Sequence, residues 1–173
     1  MIIPTSNADC LLRPLREGDQ EDIVLHGNNR KIWRNLTHIF PHPYTLADAD
    51  QWVVSSNSDP RSLHLAIELQ GQVVGMVGAQ AGTGISESTA DFGYWLGEPF
   101  WGQGWTTLAV SAFKQHVVQS RRFVRLQATV FAWNPASMRV LEKNGFSREG
   151  VLRCSVSKDG ELIDSVMYAC ILA

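Results

Sequence analysis

Trp105, Leu108, Ala109, Ala112, Phe113, His116 and Val117 fall at i, i+3, i+4, i+7, i+8, i+11 and i+12, one unbroken stripe of the kind an amphipathic helix buries. Strand-like runs flank it: Thr89-Ala90-Asp91-Phe92-Gly93-Tyr94-Trp95-Leu96 before, Phe123 to Phe131 after. A strand, a helix and a strand in that order predict a parallel, right-handed crossover. That unit excludes all-helical and all-strand folds and makes Thr89 to Leu96 a strand of the sheet's centre.

The rest of the chain adds elements around it. Leu11 to Leu15 reads as a first strand closed by Pro14, followed by helical stretches over Asp19 to Gly27 and Asn29 to Leu36. His38 to Tyr44 contains two prolines, which remove backbone donors and fix φ, so it is not helical. Thr45 is placed to cap a helix, with Asp48 three residues on and Leu46, Ala49, Trp52 and Val53 on one face. Leu63 to Leu69 and Val73 to Ala79 form a hairpin around Gln70-Gly71-Gln72. Asn134-Pro135 opens a last helix and Asn144-Gly145 ends it. Two closing strands, Gly150 to Ser157 and Leu162 to Leu172, flank the turn Lys158-Asp159-Gly160. The expected architecture is a mixed α/β (α+β) sheet carrying helices. No repeat or linker divides residues 1–173, and that length suits one domain with a sizeable core.

Composition narrows the function classes. A net charge of −2 offers no basic face for a nucleic-acid partner. The longest apolar runs, such as Leu108 to Phe113, are far short of the roughly 20 residues of a membrane span. Met1 to Cys10 shows no basic region followed by an apolar one, so a cytoplasmic location is expected. Cys10, Cys154 and Cys170 are isolated and have no metal-ligand spacing, and Pro41 breaks the helical geometry that would bring His38 and His42 together. No metal is expected.

The segment Gly97-Glu98-Pro99-Phe100-Trp101-Gly102-Gln103-Gly104-Trp105 joins the central strand to the strong helix. Glycines there let the backbone approach a ligand closely, and the first N–H groups of a helix have no internal partners, which makes an anion site. A glycine-rich turn that only tightens the crossover would look the same at this level. Two familiar phosphate motifs fail. The nucleoside-triphosphate loop needs Lys-Ser/Thr where Gln103-Gly104 stand, and the dinucleotide fingerprint needs a third small residue where Thr107 stands, with an acidic residue on a following strand that has none.

The strand, the Trp101-Gly102-Gln103-Gly104 turn and the amphipathic helix are followed by Asn134-x-x-Ser137, Leu141-Glu142-Lys143-Asn144-Gly145-Phe146 and Glu149-Gly150. In that order the chain resembles the GNAT superfamily of N-acetyltransferases, specifically the branch of the ribosomal-protein acetyltransferases RimJ and RimL. The resemblance runs from Leu12-Arg13-Pro14-Leu15 through Phe40-Pro41-His42-Pro43-Tyr44-Thr45 to Asp164. It departs from the family pattern at Pro99, where the acyl-CoA loop usually starts with Gln or Arg. It implies a mostly antiparallel central sheet with one parallel β-α-β crossover. It implies acetyl-CoA as acetyl donor, its pyrophosphate on Trp101, Gly102, Gln103, Gly104, Trp105 and Thr106. The pantetheine arm would lie along Tyr94, Trp95 and Leu96, with Asn134 and Ser137 as further cofactor contacts.

Acetyl transfer to an amine needs a neutral nucleophile, N–H donors for the oxyanion and a proton for the leaving thiolate. By resemblance, an N–H near Trp95 and Leu96 polarises the thioester and attack is direct. Asp91, on one strand face with Gly93 and Trp95, is the first candidate base and also reads as a solvated strand carboxylate or the acceptor of a structural hydrogen bond; Asp164 is the reserve, and water could relay the proton. Ser137 is the candidate acid and also reads as an ordinary first-turn serine. Arg121, Arg122 and Arg125 could meet the cofactor's 3′-phosphate or merely complement a helix C-terminus. Trp33 to Tyr44 and the turn Lys158 to Glu161 are expected to shape the acceptor pocket. The acceptor is a protein N-terminus or a small amine, no direct nucleic-acid or membrane partner is expected, and the chain is a monomer or homodimer. A non-catalytic acyl-CoA sensor or interaction module is the alternative.

Overall fold

A computed structural model of the chain describes every residue except Asn57, Asp59 and Ala173. Its strands are β1 (Ile3–Pro4), β2 (Cys10–Arg13), β3 (Ser62–Leu69), β4 (Gln72–Ala81), β5 (Thr89–Leu96), β6 (Arg125–Phe131), β7 (Ser147–Lys158) and β8 (Glu161–Ile171). The helices are α1 (Gln20–Gly27), α2 (Arg30–Trp33), α3 (Leu46–Ser55), α4 (Trp105–Ser120) and α5 (Pro135–Lys143). The strands form one sheet in the order β1-β2-β3-β4-β5-β6-β8-β7. Every neighbouring pair is antiparallel except β5 and β6, the crossover that the stripe on α4 demands.

Strand alternation divides the core between the two faces. Phe92 and Leu96 of β5 join Leu65, Ile67, Val77 and Leu126 beneath Val110 and Phe113 of α4. Trp95 points the other way, into a second layer with Ala66, Val73, Met76, Ile23 of α1 and Ala49 of α3. Arg13, only 5% exposed, ties β2 to the entrance of α1 by donating to both oxygens of Asp19 at 2.7 and 2.8 Å. Thr45 and Asp48 form a complete capping box on α3. The β7–β8 hairpin turns on Asp159 and Gly160, both at positive φ, as a two-residue turn of this hand requires.

Some boundaries differ from the sequence reading. The expected helix Asn29 to Leu36 is a single turn, Arg30–Trp33, capped by Asn29 and continued by turn hydrogen bonds to Leu36. The strand expected at Leu11 to Leu15 is β2 and stops at Arg13, because Pro14 has no N–H to donate to a ladder, and a short β1 that the sequence reading lacked precedes it. β7 starts three residues earlier than expected and is interrupted at a bulge where Cys154 takes φ +49°.

The decisive feature for the site is how little of β5 pairs with β6. Only Thr89, Ala90 and Asp91 meet Arg125, Leu126 and Gln127; beyond them β6 continues against β8 while β5 runs on alone on that side. The Gly97 N–H donates to the Val74 carbonyl and the Gly82 N–H to the Thr89 carbonyl, so odd-numbered residues of β5 bond to β4. By alternation the backbone groups of Tyr94 and Leu96 face the gap.

Candidate active site

The gap opens into a cavity of about 460 Å³. Tyr94, Trp95, Leu96, Trp101, Gly102, Gly104, Trp105, Thr106, Asn134 and Ser137 all line it. Gln103 does not; it braces the loop from outside, its Nε2 donating to the Pro99 carbonyl at 2.9 Å and its Oε1 accepting from Trp105 Nε1 at 3.1 Å. Gly102 and Gly104 take φ of +75° and +88°, values that disfavour any side chain. Gly104 caps α4 without a side-chain bond, which leaves the first N–H groups of the helix open towards the cavity. Pro99 sits in the single 3₁₀ turn Glu98–Phe100, where a missing N–H costs nothing, so its departure from the family pattern leaves the loop's backbone intact.

The charge lining this cavity is one-sided. Lys31, Arg139 and Lys143 contribute to the wall, and no described Asp or Glu does. Glu98 lies just outside, bound to Lys31 and accepting from Asn29 Nδ2 at 2.8 Å, and so fastens α2 to the loop. Arg121, Arg122 and Arg125 are elsewhere: they follow the far end of α4, about 24 Å from its start, and Arg125 grips Glu149 through two bonds of 2.8 and 2.6 Å. The sequence held a usable signal for the cations that do line the wall. Ala136, Arg139, Val140 and Lys143 share one face of α5 by helical spacing.

A second cavity, about 580 Å³, lies on the other side of β5. Asp91, Gly93 and Trp95 form part of its wall, with Phe40, Tyr44, Trp52, His64 and Met76 around them. Leu36, Tyr94 and Trp95 belong to both cavities, so the two meet at the end of β5. Asp91 therefore lies on the second cavity and not the first, with Oδ1 accepting from Gln127 Nε2 at 2.9 Å. Four residues of extended chain, about 13 Å, separate it from Trp95. Asp164, the reserve carboxylate, lines neither cavity: its Oδ1 accepts from the Cys154 N–H at 2.8 Å and holds the β7 bulge. The Lys158 to Glu161 turn does not line the pocket either. It anchors α2 from behind, through Arg30 to Asp159 at 2.6 Å and Arg34 to Glu161 at 3.2 Å, with the Lys158 ammonium over the Trp33 ring.

Ser137 stands where the cavities approach each other. Its N–H donates to Asn134 Oδ1 at 3.1 Å, so Asn134 is a true helix cap. Its hydroxyl lies 2.9 Å from the Tyr94 phenol, which also donates to the Ser137 carbonyl at 3.0 Å. Burial pushes the Tyr94 phenol well above its ordinary value, with the Ser137 bond opposing the shift, so it stays protonated at neutral pH. The sequence offered Ser137 alone as the acid and Tyr94 only as a contact of the pantetheine arm; that the two side chains meet depends on β5 and α5 packing together.

The match to known proteins follows this geometry. Residues 9–147 fit the family model of the acetyltransferase (GNAT) domain. The chain belongs to that family. This GNAT domain is 26% identical to the SPbeta prophage-derived uncharacterized N-acetyltransferase YokL of Bacillus subtilis, over 89% of the chain and 86% of the relative. Over a shorter stretch, 49% of the chain and 47% of the relative, it is 36% identical to the ribosomal-protein-serine acetyltransferase of Escherichia coli. Its fold superposes with a TM-score of 0.87 on RimL, the ribosomal L7/L12 alpha-N-protein acetyltransferase, solved in complex with coenzyme A; that match is 24% identical and covers 99% of this chain and 98% of the other.

Proposed function

We propose that this GNAT domain transfers an acetyl group from acetyl-CoA directly to a primary amine. The observation that carries the reading is the pair of cavities meeting at Tyr94 and Trp95 beside the unpaired end of β5. A polyanionic donor suits the first cavity, where Lys31, Arg139, Lys143 and the open N-terminus of α4 converge. The exposed edge of Tyr94 to Leu96 suits an amide-bearing arm, which would pair with it as a further strand.

Each residue then has a task. The Leu96 N–H, directed into the gap, is the donor for the developing oxyanion, rather than that of Trp95, which belongs to the β4 ladder. Asp91 receives the amine's proton through intervening water, since its carboxylate is too far along the strand for direct contact. Tyr94 and Ser137 act together to protonate the leaving thiolate. Atoms balance: the amine nitrogen gains the acetyl group and loses a proton, and the thiolate takes one. The acceptor is a protein N-terminus or a small amine. We further read residues 1–173 as one catalytic domain working in the cytoplasm as a monomer or homodimer.

The test is acetyl-CoA binding by calorimetry and thermal protection, followed by thiol release with an amine panel. Binding with release supports a transferase. Binding without release across the panel favours a sensor, and absence of binding overturns both.

A further inference from the structure

The two cavities differ in charge and in wall chemistry, and the second specifies more than an amine. Its described lining carries two carboxylates, Asp48 and Asp91, and no lysine or arginine. No lysine or arginine there compensates a carboxylate on the acceptor, whereas an ammonium is attracted on entry. Most of the polar wall groups are already engaged. Asp48 closes the α3 capping box, the Gln80 carbonyl accepts from Ser62, Ser55 donates to the Trp52 carbonyl at 3.5 Å, and Trp52 Nε1 points to Met76 Sδ at 3.1 Å. A peptide laid into the cavity would find few uncommitted partners for its backbone donors and acceptors, a cost an apolar body avoids.

The remaining surface is mainly apolar, about half of it aromatic side chains. Phe40 lies 4.7 Å from Tyr44 and 5.8 Å from Trp95, and Trp52 meets His64 edge-on at 5.0 Å. Space for a body of that kind comes from Gly93 on β5, since the position over Gly78, its partner on β4, is already filled. The His64 ring lies so close over Gly78 that a Cβ there would come within 2.3 Å of it, while a Cβ on Gly93 would meet nothing within 4 Å.

We propose that the acceptor is a primary amine on an apolar, carboxylate-free body of arylalkylamine type, a specification that rests on the transferase reading above. Phenethylamine is the probe, with phenylalanine adding a carboxylate to the same body, phenylalanine amide removing that charge, and a short peptide beginning with serine as the macromolecular surrogate. Phenethylamine is expected to exceed phenylalanine at least thirtyfold in kcat/KM, mainly through KM, and the amide to recover most of the loss. Gly93→Val fills the cavity from its floor with a residue that suits a strand; it is expected to raise the KM for phenethylamine at least tenfold and to leave the acetyl-CoA Kd within twofold. Preference for phenylalanine or the serine peptide overturns the inference and leaves the transferase intact. An unchanged phenethylamine KM in Gly93→Val, with acetyl-CoA still bound, also overturns it. Loss of acetyl-CoA binding by the wild-type chain sinks the transferase reading itself.

Discussion

The Tyr94 phenol and the Ser137 hydroxyl lie 2.9 Å apart, a contact between β5 and the first turn of α5 that bridges residues 43 positions apart. Because burial keeps the phenol protonated, the pair can supply a proton without first having to acquire one. Tyr94→Phe and Ser137→Ala are each expected to lower kcat about 10- to 100-fold while acetyl-CoA affinity stays within threefold. If the two act as one unit, the double variant is little worse than either single one. Strictly multiplicative losses in steady-state kinetics would show that they do not share a proton.

Asp91 is tested by its pH profile. Asp91→Asn is expected to lower kcat/KM about 100-fold near neutral pH, with activity recovering at alkaline pH where the amine is already neutral. A variant within twofold of wild type across that range would remove Asp91 from proton transfer.

Gly102 and Gly104 present the donor loop in a left-handed backbone conformation. An alanine at either position introduces strain of about 1–2 kcal/mol. For a chain of this size each kcal/mol lowers Tm by about 2–4 °C. Acetyl-CoA affinity is expected to fall several-fold in Gly102→Ala and Gly104→Ala, with the amine KM little changed. Equal loss of both affinities in calorimetry and kinetics would point to a general distortion.

His26 lies 8% exposed beneath the donor loop, edge-on to Phe100 at 5.3 Å, with Nε2 buried and unpartnered. Burial lowers its pKa, outweighing the opposing effects of Asp22 and Gln72. The unfolded chain then binds a proton that the folded one refuses, so stability rises with pH. The contribution is complete above about pH 6.5 and is lost as the pH falls towards the lowered folded value, with a slope of at most about 1.4 kcal/mol per unit. Urea titrations of His26→Gln are expected to show a shallower decline between pH 6.5 and 5; an unchanged slope would assign the acid sensitivity elsewhere.

Trp95, Trp101 and Trp105 all border the donor cavity, and Trp101 is 42% exposed while its indole N–H holds the Leu96 carbonyl at 2.6 Å. Saturating acetyl-CoA is expected to change the intrinsic fluorescence. A spectrum that does not move while calorimetry reports binding would place the donor away from this loop.

What the sequence determined by itself was local. The stripe from Trp105 to Val117 needs only helical periodicity to be read, and the caps at Thr45 and Asn134 and the Asp159-Gly160 turn each follow from the conformational preferences of one or two residues. The family's motif order marked the glycine-rich loop, and ten of the eleven residues named as cofactor contacts line one cavity because the crossover brings β5, α4 and α5 together. Tertiary structure decided what depends on partners distant in the chain. Asp164 holds a bulge and lines neither cavity, the cations lining the first cavity are Lys31, Arg139 and Lys143 rather than the arginines after α4, and a tyrosine from β5 meets Ser137. The reason is geometric. A strand's period shows which residues share a face, but where β5 stops pairing with β6 depends on the twist and packing of the whole sheet, and that parting opens the first cavity.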